Sequence, residues 1–295
     1  MSSTINCINR LSQFAGLGLL AMSLALTSTQ ANAQQTLSTT LAQQKPPAKT
    51  KPEVAKPQTT LLATVEIRSR IQRVARLYLE IAADSRTQFT IPLFTREVSF
   101  LDANMAKLDK AGFSGEEAKA YNRIRSRYED LRVLFVQPYT PQNGDLVYAT
   151  SEEMMTSAQK LAQLSAQIVD TDAGYALDIS GRVMTQTERI AKAFMQCALT
   201  QSRSSLVDLD QWRKEHATGL AQLADMKIND SNTNDTIKLS KMLNTLQGQF
   251  MDASLKANRC TVPTSMMRSS DAMWSILQST STRYFNQMGI PARIG

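Results

Sequence analysis

The sequence predicts an all-α protein, and three observations lead to that prediction. Beyond residue 58, proline occurs only at positions 92, 138, 141, 263 and 291, so that no helix breaker lies between 141 and 263. The residues that dominate this region are Ala, Gln, Met, Leu, Arg and Lys, all of which favour helices. Extended alternation of apolar and polar residues, which indicates a strand, is nearly absent.

Apolar stripes or end signals support each predicted helix. The first, within residues 61–82, places Val65, Ile71 and Tyr78 on one face. A serine cap with an acidic first turn opens another helix at Ser114, and residues 150–153 open the fourth helix in the same way. The other predicted helices span residues 95–110, 207–225, 235–258 and 264–287.

The fourth predicted helix is unusually long. No proline lies between residues 151 and 200, and only Gly174 and Gly181 interrupt the helical pattern. We expect one continuous helix of about 75 Å, at about 1.5 Å per residue. The alternative is a break near Asp172–Gly174, where the sequence Asp-Thr-Asp-Ala-Gly is typical of a turn.

The order of helices suggests an internal duplication. The segment RVARLY at 73–78 matches RIAKAF at 189–194, an offset of 116 residues (189 − 73). The pair Met154-Met155 matches Met266-Met267 at an offset of 112 (266 − 154). Two landmarks in the same order at nearly equal spacing predict two tandem four-helix bundles, residues 59–170 and 171–295, joined through the long shared helix.

The N-terminus indicates export. Arg10 precedes a short apolar run and then Ala31-Asn32-Ala33, the order of a secretory signal peptide cleaved near Ala33. The run is shorter than a membrane span requires, although an uncleaved anchor is the alternative. Residues 34–58 hold four of the nine prolines and predict a disordered linker. We therefore expect residues 1–33 to be removed and the protein to be periplasmic or secreted.

The charge distribution argues against nucleic acid as a partner. The net charge of +7 falls to +6 without Arg10, and residues 34–58 carry +3 of that, which leaves +3 on the body. Nucleic-acid binders concentrate basic residues in a dense patch, which this body lacks.

Two cysteines remain after the predicted cleavage. An even pair in an oxidising compartment is a disulfide candidate, and the alternative is two separate buried thiols. In an up-down-up-down bundle, Cys197 near the end of one helix and Cys260 just after the next-but-one helix lie at the same pole. The bridge would be worth about 4 kcal/mol on the chain-entropy model.

Catalytic equipment is sparse in the sequence. The one histidine, His216, lies on a predicted helix, where a packed or surface role is the more common. Nucleophile elbows, phosphate-binding glycine loops and zinc motifs do not occur. The methionine pairs are more typical of core packing than of soft-metal binding. We therefore predict a protein that is not an enzyme and has no cofactor or metal.

One polar constellation remains, on the helix that contains SGRVMTQTERIAKAF, residues 180–194. Here Arg182, Gln186 and Arg189 lie at i, i+4 and i+7, and so share one side of the helix. Arginine forks and glutamine amides at such spacing can grip a planar anion, and the alternative is a solvated face with ordinary ion pairs. A similar ladder in the first helix consists of Arg68, Gln72 and Arg76.

The segment 180–194 resembles the repeated motif of the PilJ-type sensor domain, found at the N-terminus of type IV pilus chemotaxis transducers, and a related motif of nitrate/nitrite sensor kinases. The matching positions in this second copy of the motif are Gly181, Arg182, Thr187, Arg189, Ile190, Ala191, Lys192, Ala193 and Phe194. Those in the first copy are Arg68, Gln72, Arg73, Val74, Ala75, Arg76 and Tyr78.

The resemblance implies a periplasmic, all-helical sensor module. In the nitrate sensors the anion is held by an arginine three positions after the motif glycine. That position is Met184 in the second copy, and in the first copy it is Arg68, with Val65 in place of the glycine. The resemblance therefore makes Arg68 the sharpest ligand candidate.

We expect a sensor-type module that binds a small anion or relays its state to a protein partner in the envelope or inner membrane. The relay is expected because no signalling domain is foreseen after GIPARIG. The alternative is a structural or adaptor bundle of the cell envelope that binds another protein and no small ligand.

Overall fold

The computed structural model describes residues 56–84, 87–257, 260–262 and 264–289. The described residues belong to one compact unit, Pro52–Gly295. The predicted signal peptide and nearly all of the predicted linker lie outside the described residues. The last two linker positions, Pro57 and Gln58, already belong to the first helix.

All regular structure among the described residues is helical, which confirms the all-α prediction. Eight α-helices follow one another in the described ranges: α1 Pro57–Ala82, α2 Thr87–Leu108, α3 Gly115–Phe135, α4 Pro141–Val169, α5 Asp172–Thr200, α6 Leu209–Asp225, α7 Ser231–Lys256 and α8 Thr264–Met288. No helix among these described residues is both long and apolar enough to cross a membrane.

The prediction of one continuous helix from 151 to 200 is wrong. Helix α4 ends at Val169, and Asp170 takes the left-handed conformation with φ 44°. Thr171 then caps α5, because its side chain accepts a hydrogen bond from the Gly174 backbone N–H at 3.0 Å. The two halves are therefore not joined through a shared helix, and the break falls at the predicted repeat boundary.

Helix α4 also begins earlier than predicted. Thr140 caps it by accepting a hydrogen bond from the Asn143 backbone N–H, and Pro141 occupies the first position, where its missing N–H costs nothing. Glu152 therefore lies in the middle of a helix, and its carboxylate binds Arg189 and Lys192 of α5 instead of favouring a helix start. Two further helices begin before their predicted starts, α2 at Thr87 and α7 at Ser231.

Helices α1 and α5 lie side by side at the centre. They run parallel, because the contacting pairs Val65–Gly181, Arg68–Asp178 and Arg73–Glu188 keep a nearly constant separation in sequence. Gly181 permits this approach, since a Cβ there would lie 2.2 Å from Cγ1 of Val65.

The outer helices pack in the same pattern around each central helix. Helix α1 contacts α2 and α4, and α4 contacts α3. Helix α5 contacts α6 and α8, and α8 contacts α7. The methionine pairs 154–155 and 266–267 are buried in the core, in agreement with their interpretation as packing residues.

A network of buried ion pairs holds α1 against α5. Glu188 of α5 accepts hydrogen bonds from Arg73 at 2.8 Å and from Arg76 at 2.6 Å. Arg76 also reaches Glu80 at 3.0 Å and Asp271 of α8 at 2.6 Å. Glu188 and Arg76 are fully buried, so each charge depends on its partners for the solvation that water no longer provides.

A disulfide joins α5 to the segment before α8. Cys197 and Cys260 have Cα atoms 5.3 Å apart, within the range that a disulfide requires. The predicted pairing is thus confirmed, and it is compatible with a location outside the cytoplasm.

We predict that Glu188→Gln destabilises the fold strongly. The change leaves the buried guanidinium groups of Arg73 and Arg76 without their shared carboxylate, and breaking a buried ion pair in this way typically costs about 3–5 kcal/mol. The free energy of unfolding in urea measures the effect. The matched control is Glu116→Gln, which breaks an exposed pair with Lys119 and should change little. Equal effects of the two substitutions would contradict a structural role for the network.

Candidate functional site

A cleft of about 470 Å³ lies between α4, α5 and α6. Gly219 of α6 sets the spacing of two of its walls, since a Cβ there would lie 2.6 Å from Cγ2 of Val183 on α5. The lining residues are Met155 and Gln159 of α4; Ile179, Arg182, Thr185, Gln186 and Arg189 of α5; and Gln211, Lys214, Glu215, Thr218, Gly219 and Gln222 of α6.

Three of the six predicted ligand residues come together in this cleft. Arg182 reaches the Asp178 carboxylate with Nε at 3.3 Å and is 44% exposed. Gln186 donates from Nε2 to the Glu215 carboxylate at 2.5 Å. Arg189 is more engaged, because it donates from Nε to Glu152 at 2.9 Å and lies 4.2 Å from the ring centre of Trp212.

Positive charge predominates along the cleft. Its lining carries the cations Arg182, Arg189 and Lys214 against one carboxylate, Glu215. Among the described residues Lys214 forms no ion pair, and the Arg182 pair is long and half-exposed. These two cations are therefore available to a ligand at low cost, whereas Arg189 would first have to leave Glu152.

The other three predicted ligand residues lie inside the protein. Arg68 is fully buried and donates to the Asp178 carboxylate at 2.7 Å and to Gln159 Oε1 at 2.8 Å. Gln72 donates to the Ser151 carbonyl oxygen at 3.2 Å, and Arg76 belongs to the Glu188 network. The structure thus separates the two ladders, one lining the cleft and one packed between the central helices.

Burial and charge oppose each other at these arginines. Burial lowers the pKa of the Arg68 guanidinium below its ordinary value, although the Asp178 carboxylate acts in the opposite direction. Burial acts the same way on Arg76, but there the carboxylates of Glu188, Asp271 and Glu80 prevail and raise its pKa above its ordinary value. Arg76 is therefore held as a structural cation.

Asp178 connects the cleft to α1. Its Oδ2 faces Arg182 at the cleft, and its Oδ1 accepts from the buried Arg68 of α1. Gln159 makes a second connection, since it lines the cleft and also accepts from Arg68. Arg68 therefore lies one layer of side chains behind the cleft wall.

The α6 wall was not foreseen from the sequence. Gln211, Lys214, Glu215, Thr218 and Gln222 repeat at intervals of three and four residues, so they share one face of a helix. That polar stripe is visible in the sequence, but it resembles an ordinary solvated face until the partner helix is known.

One buried titratable group lies on the helix that contains residues 180–194, and another lies on the neighbouring helix α6. Lys192 donates to Ser151 Oγ at 2.9 Å and to Glu152 at 2.6 Å, and burial lowers its pKa to about 8 against the effect of Glu152. His216 is fully buried with Nε2 at 2.9 Å from Thr187 Oγ1, so it is a packed residue. Among the described residues no group of three His, Cys, Asp or Glu side chains could hold a metal ion.

Comparison with known proteins gives no relative. The chain matches no protein-family model, no curated protein and no solved structure. The resemblance of residues 180–194 to the PilJ-type motif therefore stays a prediction.

We predict that His216 makes stability depend on pH between 6.5 and 4. Burial lowers its pKa from 6.5 to about 4, so over this range the unfolded chain binds the proton more readily than the folded one. The free energy of unfolding should therefore fall as the pH drops from 6.5 to 4, by up to about 3 kcal/mol from this group. Urea unfolding of wild type and His216→Gln at both pH values isolates the effect. Parallel pH profiles of the two proteins would refute it.

Proposed function

We propose that this chain is an exported, sensor-type binding module whose ligand is a small anion held in the cleft by Arg182 and Lys214. The observation that carries the proposal is the cleft itself, which is lined by these two cations from neighbouring helices. Guanidinium and ammonium groups are the usual protein donors to carboxylates and other oxyanions.

The residues that match the PilJ-type motif support the proposal by where they lie in the structure. The motif glycine, Gly181, lies where α5 approaches Val65 of α1, and the neighbouring Arg182 faces the cleft. Met184, in the position of the nitrate-binding arginine, is buried, and its sulfur accepts a hydrogen bond from Ser281 of α8. The proposed anion site therefore lies on a different face of this helix from the nitrate position of the related sensors.

We also propose that the eight helices are two copies of one four-helix unit. The same helix pairings recur in each half. The matched residues Arg73 and Arg189 each pair with a carboxylate on the fourth helix of the other half, Asp271 of α8 and Glu152 of α4 respectively. Arg76 and Lys192, also 116 residues apart, are both buried cations in this arrangement.

The proposal includes a relay to a protein partner in the envelope or inner membrane, and the position of Asp178 between Arg182 and Arg68 supports it. An anion that binds Arg182 competes with Asp178 for it, and this changes the charge that faces Arg68 on α1. The disulfide and the predicted signal peptide are consistent with a module that works outside the cytoplasm.

A second candidate function is an envelope adaptor that binds another protein. One observation favours it: the exposed side chains Leu239, Met242 and Leu246 form an apolar stripe on α7. The residues 116 positions earlier, Arg123, Ser126 and Asp130 on α3, are polar. If the chain has this function, no small anion should raise its melting temperature.

We predict that nitrate, nitrite or a small carboxylate raises the melting temperature of the chain and that Arg182→Gln/Lys214→Met abolishes the response. A ligand that binds only the folded state adds about 2.7 kcal/mol at one hundred times its Kd. Differential scanning fluorimetry over a concentration series measures the shift, with Lys119→Gln as the control for loss of one exposed charge. No shift with any anion, or an equal shift in the double variant, would contradict the proposal. Arg68→Ala is a poor test, because it also removes the buried partner of Asp178, a residue that contacts Arg182.

A further inference from the structure

The cleft is larger than a bare inorganic anion requires. Its volume is about 470 Å³, within the range of about 300–1,000 Å³ that is typical of pockets for small organic molecules. Nitrate or nitrite would leave most of this space to water. The cleft therefore indicates a ligand with a carbon skeleton as well as a charged group.

The amide groups of the lining specify the polar part of that ligand. Gln159, Gln186, Gln211 and Gln222 reach the cleft from three helices. Each amide offers a donor and an acceptor, whereas nitrate and nitrite at neutral pH can only accept hydrogen bonds.

A hydroxyl group can bind these glutamine amides, because it donates a hydrogen bond and accepts hydrogen bonds at the same time. The Glu215 carboxylate adds a further acceptor beside Gln186 and Gln211, from which it accepts hydrogen bonds. Met155 and Ile179 supply apolar surface in the same cleft, against which C–H groups of a ligand can pack.

The corresponding space in the first half is filled. It lies between α8, α1 and α2, where the Arg70 guanidinium stacks on Phe100 at 4.6 Å and on Trp274 at 5.6 Å. Arg70 also pairs with Glu97. At the offset of 112, the position of Trp274 corresponds to Ala162 of α4, a far smaller residue. One interhelical space is thus closed by aromatic rings, and its counterpart is open.

We propose that the ligand of the open cleft is a hydroxylated carboxylate of sugar-acid size, with its carboxylate at Arg182 and Lys214 and its hydroxyl groups on the glutamine amides. This proposal rests on the proposed function, because it assumes that the cleft binds an anion. It narrows the ligand class from small anions in general to polyhydroxy acids such as hexuronates.

Isothermal titration calorimetry of the whole chain with D-glucuronate, acetate, nitrate and D-glucose tests the proposal. We expect D-glucuronate to bind at least tenfold more tightly than acetate or nitrate, and D-glucose to bind at least tenfold more weakly than D-glucuronate. Acetate or nitrate that binds as tightly as D-glucuronate overturns the sugar-acid assignment and leaves the anion site standing. D-glucose that binds as tightly as D-glucuronate, or an absence of binding by all four, overturns both.

Two kinds of variant assign the contacts. Arg182→Gln should weaken D-glucuronate and acetate alike, by tenfold or more. Gln211→Leu and Gln222→Leu, both at exposed positions, should weaken D-glucuronate at least fivefold and leave acetate unchanged. Lys119→Gln is the control that should change neither. Glutamine variants that bind D-glucuronate as wild type does overturn the sugar-acid assignment.

Discussion

The contact between α1 and α5 is the constraint on which the rest of the structure depends. Arg73 and Arg76 of α1 share the carboxylate of Glu188 on α5, with little or no exposure to solvent. Removing such charges from water costs several kcal/mol per ion, and only well-placed partners offset that cost. A shift of α1 along α5 by one turn would separate these partners, so the ion pairs fix the register of the two helices. The outer helices then pack against a centre whose geometry is already set.

The same constraint separates the polar residues of the two ladders, because one set packs between the central helices and the other lines the cleft. The arginines of α1 are buried and form ion pairs inside the protein. The arginines of α5 that line the cleft remain partly exposed to solvent. Asp178 joins the two groups, because it binds Arg68 with one oxygen and faces Arg182 with the other. Charge at the cleft and the packing of α1 are therefore linked by a single carboxylate.

The presence of the helices was predicted more accurately than the residues at which they begin and end. Least accurate was the prediction of which helices pack against each other. The all-α class and the Cys197–Cys260 pair followed from composition and topology, and both are confirmed. The predicted start of α4 was wrong because residues 150–153 resemble a helix start, whereas the helix is capped by Thr140 and begins at Pro141. The burial of Arg68 was not predicted, because neither the ladder nor the resemblance shows which helix covers that face of α1. For the same reason the α6 wall of the cleft was missed.

The most direct test of this account distinguishes structural arginines from binding arginines in one experiment. Nitrogen-15 NMR of the arginine Nε–H groups during titration with the tightest-binding anion reports each guanidinium separately. The account predicts that the Arg182 signal moves in a saturable way, that Arg68 responds less through Asp178, and that Arg73 and Arg76 stay in place. A titration in which Arg73 or Arg76 moves most, or in which Arg182 does not move, would contradict it.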